Sequence, residues 1–220
     1  MARQIPPTGA AMEPLLHELP AGTLLWRLHT HKYEDATAFN PTLAHEFFRG
    51  SRFDATEKDR YPYLYAALDP VTAICEVLLR SVEFDDATGI RLVPWAQASR
   101  YRLSAVRTIR DVDLVDLTTA EGLAAVWQDT WLVDCEEDEY PKTRYWARLI
   151  REHCPAAGGL LWQSKRYRPR TALQLFGDRC GPGPLAVEPD RMLRLDEVDG
   201  VREVNALLAP LRARISVPEH

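Results

Sequence analysis

Five side chains carry most of the chemistry this sequence can offer: Arg27, Arg52, Tyr65, Glu76 and Ser164. Glu76 is the most unusual, the one carboxylate in the run VTAICEVLL. An ionised carboxylate among apolar neighbours is costly unless it faces water, a partner or a ligand. Within its own helix it could pair with Arg80 one turn on, an interaction of about 0.2–0.5 kcal/mol on a surface. At the edge of a cleft it would stabilise positive charge developing on a substrate. Arg27 follows Trp26, and either lays its stem on that ring or grips phosphate and ribose oxygens with a planar fork of donors. Arg52 has the same two readings, with Gly50 nearby leaving backbone room for a ligand. Tyr65 is either core or a ring that stacks on a flat heterocycle. Ser164 is a turn residue or a hydroxyl directed at the site; it precedes the basic run Lys165, Arg166, Arg168 and Arg170, a solvated turn or an anion-binding rim.

The elements that must position these groups are legible in part. Residues 1–20 hold four prolines and read as an irregular arm. Thr23–Leu28 is a short apolar strand ending near Arg27, and Thr30–Asn40 is a polar loop. Pro41–Phe48 is a short helix or a loop that packs its two phenylalanines inward. Tyr63–Leu68 is a strand rich in aromatic residues. Asp69 and Pro70 then supply a helix N-cap and first position, and the helix runs to about Arg80. Val71, Ile74, Cys75 and Leu78 share one face, and Glu76 lies about 140° from Val71, away from that stripe.

Ile90–Trp95, Tyr101–Arg107 and Asp111–Leu117 read as strands, and Thr119–Trp131 as one helix. Asp134–Glu139 is a concentrated acidic loop that either faces solvent or docks a basic partner. Tyr140–His153 is the clearest amphipathic helix. Leu160–Gln163 and Ala172–Phe176 are strands around the basic loop Ser164–Arg170. Val201–Ile215 reads as a final helix kinked at Pro210. The order predicts one mixed domain of the α/β (α+β) class with a mixed central sheet. Its parts are an N-terminal arm (1–22), a catalytic region (23–180) and a C-terminal extension (181–220) ending in a helix.

Bulk properties exclude several classes. With 220 residues the chain can bury one sizeable core. A net charge of −5 argues against binding nucleic acid through a broad basic face. No apolar run approaches a membrane span, and the first residues are not a convincing signal peptide, so a cytoplasmic protein is expected. The four cysteines are widely spaced, without a C-x-x-C pair, and read as reduced thiols. Signatures of dinucleotide folds, P-loops, nucleophile-elbow hydrolases and zincins are absent. His29 and His31 form an H-x-H pair with no clear third ligand, so no metal is expected.

Taken together, the segments WRL with Arg27, GSRFD with Arg52, YLYAALDPVTAICEV with Tyr65 and Glu76, and GGLLWQS with Ser164 followed by TALQLF resemble the RES-domain family. That family is named for arginine, glutamate and serine and includes the toxins of bacterial RES–Xre toxin–antitoxin pairs. The match covers roughly residues 23–177, with Lys165 standing where many relatives carry arginine. The resemblance implies a compact fold similar to ADP-ribosyltransferase toxins. It implies NAD as substrate rather than cofactor, cleaved between nicotinamide and ribose, with water or phosphate as acceptor. It also implies an Xre-family antitoxin as a partner, in an assembly with that antitoxin or with further copies of the chain. Carried over by position, Glu76, Arg27 and Tyr65 are the catalytic candidates, and Arg52 and Ser164 the substrate-binding ones. Two alternatives stay open: an ADP-ribosyltransferase acting on a macromolecule, and a catalytically silent binding module.

Overall fold

A computed structural model describes residue 9, residues 11–31 and residues 35–217. The first eight residues of the expected arm, and residues 32–34 of the expected loop, lie outside the described residues. In chain order the elements are β1 (Leu16–Leu19), β2 (Leu24–Thr30), β3 (Tyr63–Ala67), α1 (Pro70–Leu78), β4 (Arg91–Pro94), α2 (Trp95–Ala98), β5 (Tyr101–Thr108) and β6 (Val112–Leu117). They continue with α3 (Ala120–Ala125), α4 (Trp131–Asp134), α5 (Tyr140–His153), β7 (Gly159–Gln163), β8 (Thr171–Phe176), β9 (Leu185–Arg194), α6 (Val198–Leu208) and β10 (Ala213–Ser216). The result is a single α+β domain built on an eight-stranded mixed sheet in the order β1-β6-β7-β8-β3-β2-β5-β9. Only β6 and β7 in that sheet run parallel, because the helices α3 to α5 form the crossover between them.

Strands β7 and β8 read as nearly continuous apolar runs because both of their faces are covered. On one face Phe53, Trp162 and Phe176 pack with Trp146 and Ile150 of α5; on the other Leu64, Leu161 and Leu173 form a second layer. A third cluster sits at the opposite end. There Ile74, Cys75 and Leu78 of α1 meet Leu103 of β5, Val201, Val204 and Leu208 of α6, and Val93 and Ile215 of a small parallel sheet, β4 with β10.

One feature of the sheet decides where a ligand can enter. Strands β2 and β5 pair along their whole length, as do β3 and β8. Between β2 and β3 the register holds only at Trp26 and Ala67. The sheet therefore parts beyond that point, leaving a cleft between two well-paired ribbons.

Several local expectations are corrected. The arm is not irregular throughout, because Leu16–Leu19 adds an edge strand beside β6. Phe47 and Phe48 do not pack inward; both are about two-thirds exposed and lie against His45. The expected helix Thr119–Trp131 divides into α3 and α4 because Trp127 takes a left-handed conformation (φ 60°), which ends a helical run. Trp95 opens α2 rather than closing a strand. The final helix does not reach Ile215. It stops at Leu208, a turn of 3₁₀ helix containing Pro210 follows, Arg212 reverses the chain at φ 51°, and β10 then pairs with β4. The segment after residue 180 also supplies β9, which pairs with β5 across a bulge.

Candidate active site

Helix α1 is placed by its start. The Asp69 carboxylate caps it by accepting from the Thr72 backbone N–H at 2.9 Å, and Pro70 occupies the first turn. The apolar stripe of α1 is turned into the third core cluster, and Glu76 is left half-buried on the wall of the cleft. Of the two readings, the ion pair with Arg80 is not formed: among the described residues the Arg80 guanidinium has its ion-pair contact with Glu137, at 3.8 Å. Glu76 Oε1 instead accepts a hydrogen bond of 2.5 Å from Ser164 Oγ.

Ser164 lies at the end of β7 and is fully buried. Its oxygen accepts from the backbone N–H groups of Arg166 and Tyr167 at 3.2 and 3.0 Å. With those acceptors occupied, its single proton is directed at Glu76. The basic loop that follows is tied to the acidic segment through two of its cations. Lys165 and Arg168 pair with Glu136 and Asp134 of the acidic segment. The hydrogen bond from Lys165 holds the Glu136 carboxyl below its ordinary value.

The cleft has a volume of about 400 Å³, within the range of small-molecule sites. Arg27, Arg52, Tyr65 and Glu76 all line it. Arg27 projects from β2 and is buried, donating to the carbonyls of Ala36 and Ala38. Burial pushes its guanidinium down to about 10, with Asp35 acting in the opposite sense. Arg52 is buried as well, donating to the Cys135 carbonyl at 3.2 Å and lying over the Tyr140 ring, and its Nε has no partner. Among the described residues no carboxylate comes within ion-pair distance of either guanidinium. Two desolvated cations thus face one cleft with neutral partners, an arrangement suited to an anionic ligand.

The loop carrying Arg52 is fixed from several sides. Thr143 on α5 donates to the Arg52 carbonyl at 2.6 Å, and Arg144 donates to the carbonyls of His45, Arg49 and Ser51. Gln174 and Tyr61 both donate to the Phe53 carbonyl. Gly50 makes no room for a ligand. Its φ is +80°, and an added Cβ would lie 2.7 Å from Ala44 Cβ, so glycine is required by the turn itself.

Tyr65 is anchored by its hydroxyl, which donates to Asp54 Oδ1 at 3.0 Å and accepts from the Phe53 N–H at 3.1 Å. Burial raises its phenol well above the ordinary value, so it is neutral. Asp54 Oδ2 accepts from the Ser51 N–H at 2.7 Å, so one carboxylate ties the ring of Tyr65 to the loop of Arg52. Burial raises the Asp54 carboxyl, against the Ser51 and Tyr65 hydrogen bonds.

Asp54 was not among the sequence candidates, though it stands in GSRFD between two apolar residues. The aromatic walls Tyr63, Tyr140 and Trp162 were missed too, because each reads as core. Arg144 carried a usable signal: it lies on the same helical stripe as Ala147 and Ile150, where an exposed arginine does not belong. His29 contacts Ser104 Oγ, and His31 contacts the Ser99 carbonyl and Arg102 Nε. Among the described residues no group of three or more metal-ligating side chains comes together. All four cysteines are free and buried.

Fold and cleft define a single-domain α+β protein in which two arginines, a tyrosine and a serine-held glutamate converge. The chain belongs to the RES-domain family, whose model matches residues 24–196. Among solved structures, a chain of the crystal structure of the M. tuberculosis MbcT–MbcA toxin–antitoxin complex is similar in fold, with a TM-score of 0.53 and 16% identity. The similarity covers 80% of this chain and 85% of that one. No curated protein matches the sequence. Among the described residues no helix is long and apolar enough to cross a membrane.

Proposed function

We propose that this protein cleaves the nicotinamide–ribose bond of NAD. The observation that carries the reading is the Ser164–Glu76 hydrogen bond, which fixes a carboxylate on the wall of a cleft shared with two arginines that have no carboxylate within ion-pair distance among the described residues. Nicotinamide in NAD bears a positive charge on the ring nitrogen that bonds to ribose. When that bond breaks, its electron pair goes to the nitrogen, nicotinamide leaves neutral, and the ribose becomes oxocarbenium-like. Glu76 stabilises that cation. Arg27 and Arg52 hold the diphosphate and ribose, and the anchored ring of Tyr65 orients nicotinamide. Ser164 acts through Glu76 as a positioning residue. Water or phosphate then attacks the anomeric carbon.

Family membership and the fold shared with a chain of a toxin–antitoxin complex support a further reading, that the protein depletes NAD in the cytoplasm and is restrained by an antitoxin of the Xre type.

The test is incubation of purified protein with NAD, with and without phosphate, and identification of the products. Free nicotinamide with ADP-ribose or its phosphate is expected. Label fixed on a macromolecule would indicate a transferase, and no released nicotinamide a binding module. Glu76→Gln keeps the Ser164 contact and the fold, and should lose a factor of about 10²–10³ in turnover. Unchanged turnover in that folded variant would sink the assignment.

A further inference from the structure

Arg80 lines the cleft and also a second cavity of about 350 Å³ beside it. Three guanidinium groups converge there: Arg80 after α1, Arg91 at the start of β4 and Arg166 in the loop after β7. Arg91 donates one bond to the Leu211 carbonyl at 3.1 Å and lies over the Phe84 ring, and its Nε is buried without a partner. The guanidinium groups of Arg80 and Arg166 face Glu137 and Glu136 at 3.8 and 3.7 Å, both beyond hydrogen-bonding length. Those two glutamates are 59% and 67% exposed, and Glu83, the remaining carboxylate on the rim, is exposed as well. Arg91 is thus held by the fold, while Glu137 is exposed opposite Arg80, and Glu136, bound to Lys165, stays beyond hydrogen-bonding length of Arg166.

We propose that this cavity binds a phosphate group, with Arg80, Arg91 and Arg166 as its donors and Glu136 and Glu137 as the carboxylates it displaces. Guanidinium forks match the tetrahedral oxygens of phosphate, and each of the three retains unused N–H donors. Because Arg80 is common to both cavities, a phosphate bound here lies next to the ligand in the cleft. The source is either free inorganic phosphate or a phosphate of the dinucleotide itself. Only this choice of source rests on the proposed NAD chemistry.

The test is calorimetric titration of the full chain with inorganic phosphate, without NAD, at ionic strength fixed with chloride. Saturable binding is expected, weakened about tenfold or more in Arg166→Gln, the loss of a charge-assisted contact. Arg91→Gln should act alike. Arg166 sits on a surface loop, so its variant keeps the test decisive if Arg91→Gln fails to fold. The double variant Glu136→Gln with Glu137→Gln should bind phosphate more tightly. Absence of saturable binding, or binding unaltered in folded Arg166→Gln, overturns the proposal. Titration in the presence of ADP-ribose assigns the source: competition identifies the dinucleotide's phosphate, and simultaneous binding identifies free phosphate. A chain that binds phosphate but leaves NAD intact would remove the catalytic reading and leave this site standing.

Discussion

Glu76 and Ser164 show how burial turns an ordinary hydroxyl into a positioning group. Ser164 has no solvent to lose its proton to, and two backbone donors fill its oxygen. Ser164→Ala should leave Glu76 free to rotate and two part-buried N–H groups without their acceptor, costing about 1 kcal/mol in stability. Nicotinamide release should fall with it while the KM for NAD changes little, since the arginines are untouched; an unaltered turnover number would argue against the positioning role. Tyr65→Phe keeps the ring but strands Asp54 Oδ1, so it should destabilise the fold while remaining milder for catalysis than Tyr65→Ala. Asp54 also sets a pH dependence. Its folded carboxyl titrates above the unfolded one, so its contribution to stability is fully present below the unfolded value near 3.8 and is lost as pH rises through the folded value. Denaturant titrations of wild type and Asp54→Asn across that window should show the wild type losing stability relative to the variant as pH increases. The residues named from sequence were those whose chemistry is unusual in its local context, such as a carboxylate in an apolar run. Asp54 and the aromatic walls escaped because their roles come from partners brought in by the fold: Tyr65 lies in the next strand and Tyr140 at the start of a distant helix.

At the level of elements, legibility followed the range of the forces that set each one. Helix α1 was readable because its cap, its proline and its apolar stripe all lie within the segment. Helix α5 was readable from its periodicity alone. Strand β10 was not, because what makes it a strand is a parallel partner about 120 residues away, and nothing in ARIS overrides the helical pattern before it. The arm's edge strand was hidden for the same reason, since its partner is β6. The loop Arg49–Asp54 is the element on which the site most depends, and it is held by conformation as much as by hydrogen bonds. Gly50→Ala would force a side chain into the left-handed region and against Ala44, with a cost of about 1–3 kcal/mol. Displacement of Arg52 should follow, read as a raised KM for NAD in the folded fraction. A variant with normal stability and normal KM would show that the turn tolerates a side chain.

Across the whole molecule, the cleft exists because one sheet contains a seam. The ribbons β2-β5-β9 and β3-β8-β7-β6-β1 meet at a single register pair, and α1 spans the opening with Glu76 on its near side. The apolar side of α1 shares a core cluster with Val201, Val204, Leu208 and Ile215, which lie beyond the 24–196 region matched by the family model. The C-terminal segment therefore completes the core cluster into which α1 turns its apolar stripe. Leu208 and Leu114 are both fully buried, in different clusters, Leu208 in the one that takes the apolar stripe of α1 and Leu114 within the sheet near β1. Truncating either to alanine should cost about 2–5 kcal/mol in denaturant unfolding. Their effects on catalysis should differ. Leu208→Ala leaves a void in the cluster that anchors α1, so Glu76 should lose its fixed distance to the cleft and turnover per folded molecule should drop. Leu114→Ala weakens the fold at a distance from the seam and should preserve turnover once the folded fraction is counted. If both variants lose turnover equally, or neither does, the C-terminal segment supports the fold in general and not helix α1 in particular.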